Sequence, residues 1–402
     1  MEPAPRARAG PLLMEEIYLV CAPGLERLLA AEARDAGLGV RGEEPGGVTV
    51  EGTLADVARA NIVLRTASRV LVRVAQFRAT AFHELERSSR AIPWDRWTGP
   101  TSVRVRATCR KSKLYHSDAV AERVLAAIER RTGASAAPKV ARAVDATDGE
   151  SDEGVGTQLV VVRLVHDRCT ISVDSSGALL HRRGYRQAVG KAPVRETIAA
   201  GMLLAAEWTG RTPLVDPLCG SGTIPIEGAL LARRITPGAA RAQSGDFSFA
   251  RWPELREDDL SRELARARER ELPRAPAPIL GSDRDEGVIE AARANAERAG
   301  VHDDIAFSAR ALSAIEPPRG VGLLATNPPY GVRASKGGEV RNLFAQLGKV
   351  AAALLPGWRI GVLSPDRALD AQLRIPLQPA LELSNGGIRV RYLLGAIPGG
   401  DQ

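Results

Sequence analysis

Hydrophobic positions along the front of the chain alternate between two periods. Ile17 to Ala22 reads as a strand, Leu25 to Ala36 as a helix stopped by Gly37, and Val48 to Val50 as another strand. Leu54 to Leu64 carries a helical pattern, and Val70 to Phe77 alternates again. Elements in that order predict a small α+β unit over residues 15–75, behind a Pro/Ala/Arg-rich tail, expected to be mobile, over 1–14. A second α+β unit is expected over 76–175. There Ser117 to Arg131 lines up Val120, Val124, Ala127 and Ile128 on one helical face, and Leu159 to Val165 pairs with Cys169 to Val173. Between them the acidic, Gly-containing stretch Asp145 to Gly156 reads as a flexible loop without chemistry.

Residues 176–402 follow a different pattern. Short apolar runs end in an acid or an Asn and are followed by a helical stretch, which predicts a doubly wound α/β domain. The first run, Leu214-Val215-Asp216, leads into Pro217, Cys219, Gly220, Ser221, Gly222 and Thr223, with a helix expected to begin near Pro225. Gly220 and Gly222 let backbone approach a ligand, and Asp216 offers a negative charge to a cationic one such as S-adenosylmethionine. Neither a P-loop lysine nor a complete G-x-G-x-x-G is present. The second run, Ile279 to Asp283, precedes a helix with Asp285 as N-cap, an apolar face of Ile289, Ala292, Ala296 and Ala299, and a stop at Gly300. Asp283 is thereby placed to hold ribose hydroxyls, unless it only closes a strand.

The third run, Val321 to Ala325, ends in Asn327-Pro328-Pro329-Tyr330-Gly331. Asn327 and the Pro328 carbonyl can accept the protons of a planar exocyclic amino group, the Pro329 ring leaves that carbonyl without a competing N–H, and Tyr330 can stack on a base. Taken alone, the five residues are also ordinary turn chemistry. Arg359 to Leu363, Leu381 to Leu383, the turn Asn385-Gly386-Gly387 and Ile388 to Leu394 predict the strands and hairpin that close the sheet.

These elements resemble the class I methyltransferases with an Asn-Pro-Pro-Tyr motif. The segment from Asp174-Ser175-Ser176-Gly177 through Leu180-His181-Arg182-Arg183-Gly184-Tyr185-Arg186, with Ala192-Pro193 and Glu196-Thr197, narrows the likeness to the THUMP-containing ribosomal RNA guanine-N2 methyltransferases. Pro23-Gly24-Leu25-Glu26, Gly46-Gly47-Val48, Asn61 and Leu64 to Val70 are similar to the front of that family. The resemblance implies ferredoxin-like and THUMP domains for RNA capture, then a Rossmann-like domain with a seven-stranded mixed sheet. It also implies S-adenosylmethionine as methyl donor and a guanine N2 amino group as acceptor. One position departs from the family: the acid four residues after Phe307, implied to bind the cofactor's adenine amino group, is Ala311 here.

Composition bounds these readings. The chain has 402 residues, 44% of them hydrophobic, and a net charge of +7. Residues 1–200 hold 30 Lys+Arg against 24 Asp+Glu, leaving 25 against 24 for 201–402, so the excess sits in front. Arg104, Arg106, Arg110, Lys111 and Lys113, with Tyr115 and His116 behind them, are candidate RNA contacts or a charged strand edge. Arg182, Arg183 and Arg186 in the entry segment and Arg333 beyond the motif are further candidates. Cys21, Cys109, Cys169 and Cys219 form no C-x-x-C, so no metal site or disulfide framework is expected, and the expected compartment is a reducing cytoplasm, without membrane insertion. Phe247, Phe249 and Trp252, in an insertion over 241–278, either wall a pocket or anchor the insertion. Three rival functions stay open: the same reaction on transfer RNA, adenine-N6 methylation, and a non-catalytic RNA-binding assembly factor.

Overall fold

The computed structural model describes residues 13–137, 156–187, 194–329, 337–385 and 387–399. Its front half is one eight-stranded sheet. The strands are β1 (Glu15–Cys21), β2 (Gly39–Glu44), β3 (Gly47–Gly52), β4 (Ala67–Arg78), β5 (Ser102–Arg110), β6 (Ser135–Ala136), β7 (Thr157–Val165) and β8 (Arg168–Asp174), in the order β2-β3-β1-β4-β8-β7-β5-β6. Their alternation puts Ile17, Leu19, Val50, Val72, Val162, Ile171 and Val173 on one face, in a core completed by helices. These are α1 (Glu26–Asp35), α2 (Leu54–Val63), α3 (Phe82–Ala91) and α4 (Ser117–Thr132). The expected boundary at residue 75 falls inside β4, which pairs with β1 on one edge and β8 on the other. The two front units therefore share a sheet.

The back half holds β9 (Leu214–Asp216), β10 (Ile279–Asp283), β11 (Ile305–Ala309), β12 (Leu323–Thr326), β13 (Arg359–Ser364), β14 (Gln378–Asn385) and β15 (Ile388–Ala396). They form a mixed seven-stranded sheet in the order β11-β10-β9-β12-β13-β15-β14, with β15 antiparallel to both neighbours. Its helices are α5 (Glu196–Ala205), α6 (Thr223–Ala232), α7 (Ala239–Ser244), α8 (Glu257–Arg268), α9 (Glu286–Arg298), α10 (Gly337–Leu354) and α11 (Arg367–Asp370). Successive strands step outward from β9 to β11, and the chain then returns to the other side of β9. The strand order thus reverses between β9 and β12, the place where sheets of this kind carry their ligand crevice, at the carboxyl ends of the strands.

Two local expectations change. Helix α6 starts at Thr223, not near Pro225, because the first-turn N–H groups of a helix have no internal partner and proline is tolerated there. Val321, at the head of the third apolar run, is 59% exposed, and β12 begins only at Leu323.

The aromatic cluster of the insertion settles as an anchor. Phe247 and Phe249 are fully buried and Trp252 is nearly so. Phe249 N–H donates to the Ser175 carbonyl at 3.0 Å, and Trp252 Nε1 donates to Gln158 Oε1 at 2.9 Å. Trp252 also meets Trp97 edge-on, with centroids 5.1 Å apart. Arg59 grips Glu263 through two bonds, of 2.7 and 3.1 Å. One continuous core runs through both halves.

Candidate functional site

The site begins at the ends of β9 and β12, on either side of the reversal in strand order. Asp216 is buried, and its Oδ1 accepts from the Thr326 hydroxyl at 2.7 Å and from Leu218 N–H at 3.2 Å. Burial pushes its carboxyl up to about 7, against the pull of those two donors and with a further push from nearby Asp283. Thr326, one residue before the Asn-Pro-Pro motif, went unnoticed in the sequence. A buried strand-end acid needs a donor, and the parallel neighbour across the reversal supplies it.

The loop after β9 is held open for a ligand. Gly220 and Gly222 adopt positive φ of 52° and 85°. A Cβ on Gly222 would lie 3.0 Å from both Ala292 and Phe307, whereas one on Gly220 would meet nothing within 4 Å. Cys219 N–H donates to the Ser282 carbonyl at 2.9 Å, tying the loop to β10. Cys219 itself is buried, and burial raises its thiol well above the usual range, as suits a small filler. Ser221 and Thr223 are also buried, and the Ser221 carbonyl accepts from Asn295 of α9 at 3.0 Å. Leu218 N–H binds Asp216, so Pro217 is the one residue between acid and loop that has no N–H to give.

Asp283 ends β10 facing the same loop. Its Oδ2 accepts from Gly220 N–H at 3.2 Å and its Oδ1 from Asp285 N–H at 3.1 Å. Asp285 caps α9 as expected, accepting from Val288 N–H at 3.2 Å. The family's acid position, Ala311, is exposed, and the adjacent Arg310 pairs with Glu316 at 2.9 Å.

Asn327 follows β12 directly and is half-buried. Its Oδ1 is inaccessible to solvent and has no hydrogen-bond partner among the described residues. Pro328 is buried and Pro329 exposed, while Tyr330 and Arg333 lie outside the described residues. The glycine loop and the two carboxylates therefore meet at the ends of β9 and β10, and Asn327 follows Thr326, whose hydroxyl binds Asp216. A loop of small residues and paired acids fits a ligand with a cationic group and a ribose, as S-adenosylmethionine has.

The candidate RNA contacts fall into two groups. Arg110, Lys111 and Lys113 are exposed at the end of β5, and Arg104 and Arg106 lie partly covered within that strand. Tyr115 is 69% exposed, its ring 4.1 Å from that of His116. Arg182 is exposed as well. Arg183 and Arg186 require correction, because both are spent on the protein. Arg183 is 5% exposed and donates to the Leu180 and Arg65 carbonyls at 2.8 and 2.6 Å, with Glu227 at 3.5 Å. Arg186 pairs with buried Glu196 at 3.1 Å and donates to the Val194 carbonyl at 3.1 Å. They brace the entry to the back half.

Comparison with known proteins matches three family models to the chain. Residues 16–71 match the RlmL ferredoxin-like domain, 79–145 the THUMP domain, and 183–389 the RMKL-like methyltransferase domain. The Synechocystis protein slr0064, whose name places it provisionally among RNA methyltransferases, is 33% identical over 92% of this chain and 94% of its own length. Ribosomal RNA large subunit methyltransferase K/L of Syntrophotalea carbinolica is 35% identical over 94% of this chain, which spans only 53% of that relative. The crystal structure of SMU.472, provisionally named a methyltransferase and solved with SAH bound, superposes with a TM-score of 0.82 at 27% identity, covering 97% of this chain and 99% of that one. A full-length structural match and a family model that covers more than half of the sequence agree with the reversal of strand order between β9 and β12: the chain belongs to the RMKL-like methyltransferase family, with an RlmL-type ferredoxin-like domain and a THUMP domain in front.

Proposed function

We propose that this protein transfers a methyl group from S-adenosylmethionine to the N2 amino group of a guanine in 23S ribosomal RNA. The observation that carries the amino-group chemistry is the buried Asn327 Oδ1, an acceptor with no partner among the described residues. Leaving such an atom unpaired costs about 1–3 kcal/mol, so a donor arriving with the substrate accounts for its retention. The choice of ribosomal RNA rests on the K/L relatives, and RNA itself on the THUMP match and the near-full-length RNA methyltransferase relative.

S-adenosylmethionine supplies a methyl group activated by its sulfonium. Asp216, Gly220, Gly222 and Asp283 are the residues assigned to hold it. Asn327 Oδ1 and the Pro328 carbonyl accept the two amino protons, which turns the nitrogen lone pair out of the ring plane. Tyr330 is given the stacking role on sequence grounds. No activated nucleophile is needed, since orienting the nitrogen supplies most of the rate, and its excess proton then leaves to water. Mass spectrometry of RNA from a deletion strain tests the whole reading. A missing N2-methylguanine in 23S RNA is expected. A lost mark in transfer RNA, a lost N6-methyladenine, or no lost mark would each point to one of the rivals.

Two predictions concern the cofactor. Asp283→Ala should weaken S-adenosylmethionine binding roughly tenfold, about 1.5 kcal/mol for a hydrogen bond to a charged group, and leave RNA binding unchanged. Unaltered cofactor affinity in calorimetry would make Asp283 a mere brace for Gly220. The second follows from Asp216, whose carboxyl stands near 7. A cation bound beside it favours the ionised form, so binding releases a proton and affinity rises as pH climbs toward about 7, then levels off. Titrations in two buffers of different ionisation enthalpy count that proton, and the absence of release at pH about 6.5 would remove Asp216 from the cation's surroundings.

A further inference from the structure

The face of the front sheet turned away from its helices carries an arginine array that the proposed chemistry leaves unused. Register fixes the array. Arg78 of β4 lies directly opposite Arg168 of β8, and Gln76 opposite Thr170. Arg168 in turn faces Val165 of β7, and Thr170 faces Arg163. Val165 lies beside Arg110 of β5 and Arg163 beside Thr108, with Arg106 and Arg104 farther along the same strand beside Val161 and Leu159. Paired residues share a face. The alternate positions, Val162, Leu164, Cys169, Ile171 and Val173, are in the core.

Among the described residues, the acids of this face are mostly engaged elsewhere, and Arg163, Arg168 and Arg110 are exposed. Glu16 on β1 is taken by Arg73 at 2.7 Å. Asp174, at the far end of β8, is buried against Arg69. Asp167, in the turn between β7 and β8, accepts from Lys113 backbone N–H at 2.8 Å through Oδ1 and makes a long ion pair with Arg78, 4.0 Å, through Oδ2. Like charges directly opposite in a sheet destabilise it, yet Arg78, its side chain 78% exposed, is opposite Arg168, and both line a cavity of about 350 Å³. Gln76, Phe77 and His166 complete the lining.

The surrounding turns are held in place for it. His166 and Asp167 adopt positive φ of 50° and 63°, and Lys111 one of 47°, a region that non-glycine residues rarely enter. Asp167 fastens these turns together. Its N–H donates to Ser112 Oγ at 3.0 Å, and its carbonyl accepts from Ala79 N–H at 2.9 Å. At His166 and Asp167 this is the geometry of the two-residue hairpin turn between β7 and β8, and Asp167 ties the ends of β4 and β5 to that turn.

We propose that this sheet face binds RNA backbone, with one phosphate seated between Arg78 and Arg168. The proposal takes its partner from the RNA methyltransferase reading. A phosphate between two opposed guanidiniums turns their repulsion into two charge-assisted contacts, and exposed Arg163 of β7 and Arg110 of β5 extend the track across four strands.

The test uses the full-length protein, its Arg78→Gln and Arg168→Gln variants and the double variant, with 23S RNA and an unstructured single-stranded RNA as probes over a salt series. Each single variant should bind RNA several-fold more weakly, with S-adenosylmethionine affinity unchanged and a melting temperature equal to or above wild type, since one of two like charges is gone. The double variant should flatten the salt dependence by about 0.7 to 0.9, the loss of one phosphate contact and not two. Wild-type protein that binds neither RNA would overturn the RNA reading itself. Wild-type binding that persists unchanged in the double variant, or a lowered melting temperature in either single variant, would overturn the phosphate seat. Weakened capture of polyglutamate with RNA binding intact would also overturn it, in favour of an acidic protein partner.

Discussion

Replacing Asn327 with alanine will lower the rate of methyl transfer by about a hundredfold or more, the equivalent of about 2.7 kcal/mol for one positioned catalytic hydrogen bond. S-adenosylmethionine affinity should stay within a few-fold. The expectation rests on the acceptor beside the end of β12, buried and unpaired among the described residues. That atom has a second consequence, because removing an unsatisfied acceptor relieves its desolvation penalty. Asn327→Ala should therefore unfold at the wild-type temperature or slightly above it. Single-turnover transfer of a labelled methyl group, set beside a thermal melt, separates the two effects. A slow variant with unchanged melting fits an amino-group clamp. A near-wild-type rate would remove Asn327 from the chemistry, and a lowered melting temperature would make its side chain structural.

Much of this site was legible in the sequence because the strands that build it are buried on both faces. Leu214-Val215-Asp216 and Ile279 to Asp283 read as short apolar runs ending in acids, and both acids emerge at one loop. Elements without that contrast were harder to read. Strand β2, Gly39–Glu44, is almost wholly exposed and owes its existence to pairing with β3, so no apolar alternation marks it. Helix α3 buries only Leu85 and Ser89, so its amphipathic pattern rests on where its charges fall and not on an apolar stripe. The arginines divide on a similar principle. Arg183 and Arg110 are equally cationic as letters, but the first is sealed against Glu227 and two carbonyls and the second is exposed at the end of a strand. Only three-dimensional pairing distinguishes them. The same holds for Arg78 and Arg168, ninety residues apart in the chain and directly opposed in the sheet.

Trp252→Ala will cost about 3–5 kcal/mol of stability, the range for truncating a buried aromatic side chain. The indole is 3% exposed, its N–H is bonded to Gln158 at the start of β7, and its ring meets Trp97 edge-on. Truncation therefore opens a cavity between the halves and strands the Gln158 oxygen at once. Because one hydrophobic core runs from the front sheet into the back half, the front sheet and the insertion should unfold in one denaturant transition, and the variant should shift its midpoint downward. S-adenosylmethionine affinity, measured well below the variant's melting temperature, should match wild type, since Trp252 is bonded to the front sheet and not to the loop at Gly220. The opposite pattern, weakened cofactor binding with stability intact, would place the aromatic cluster in the wall of the pocket. The anchor also bears on catalysis. A THUMP-bearing front that selects RNA can deliver a nucleotide to Asn327 only if the two are held in fixed register. Folded Trp252→Ala protein should then lose methylation of long RNA more than it loses either RNA or cofactor affinity.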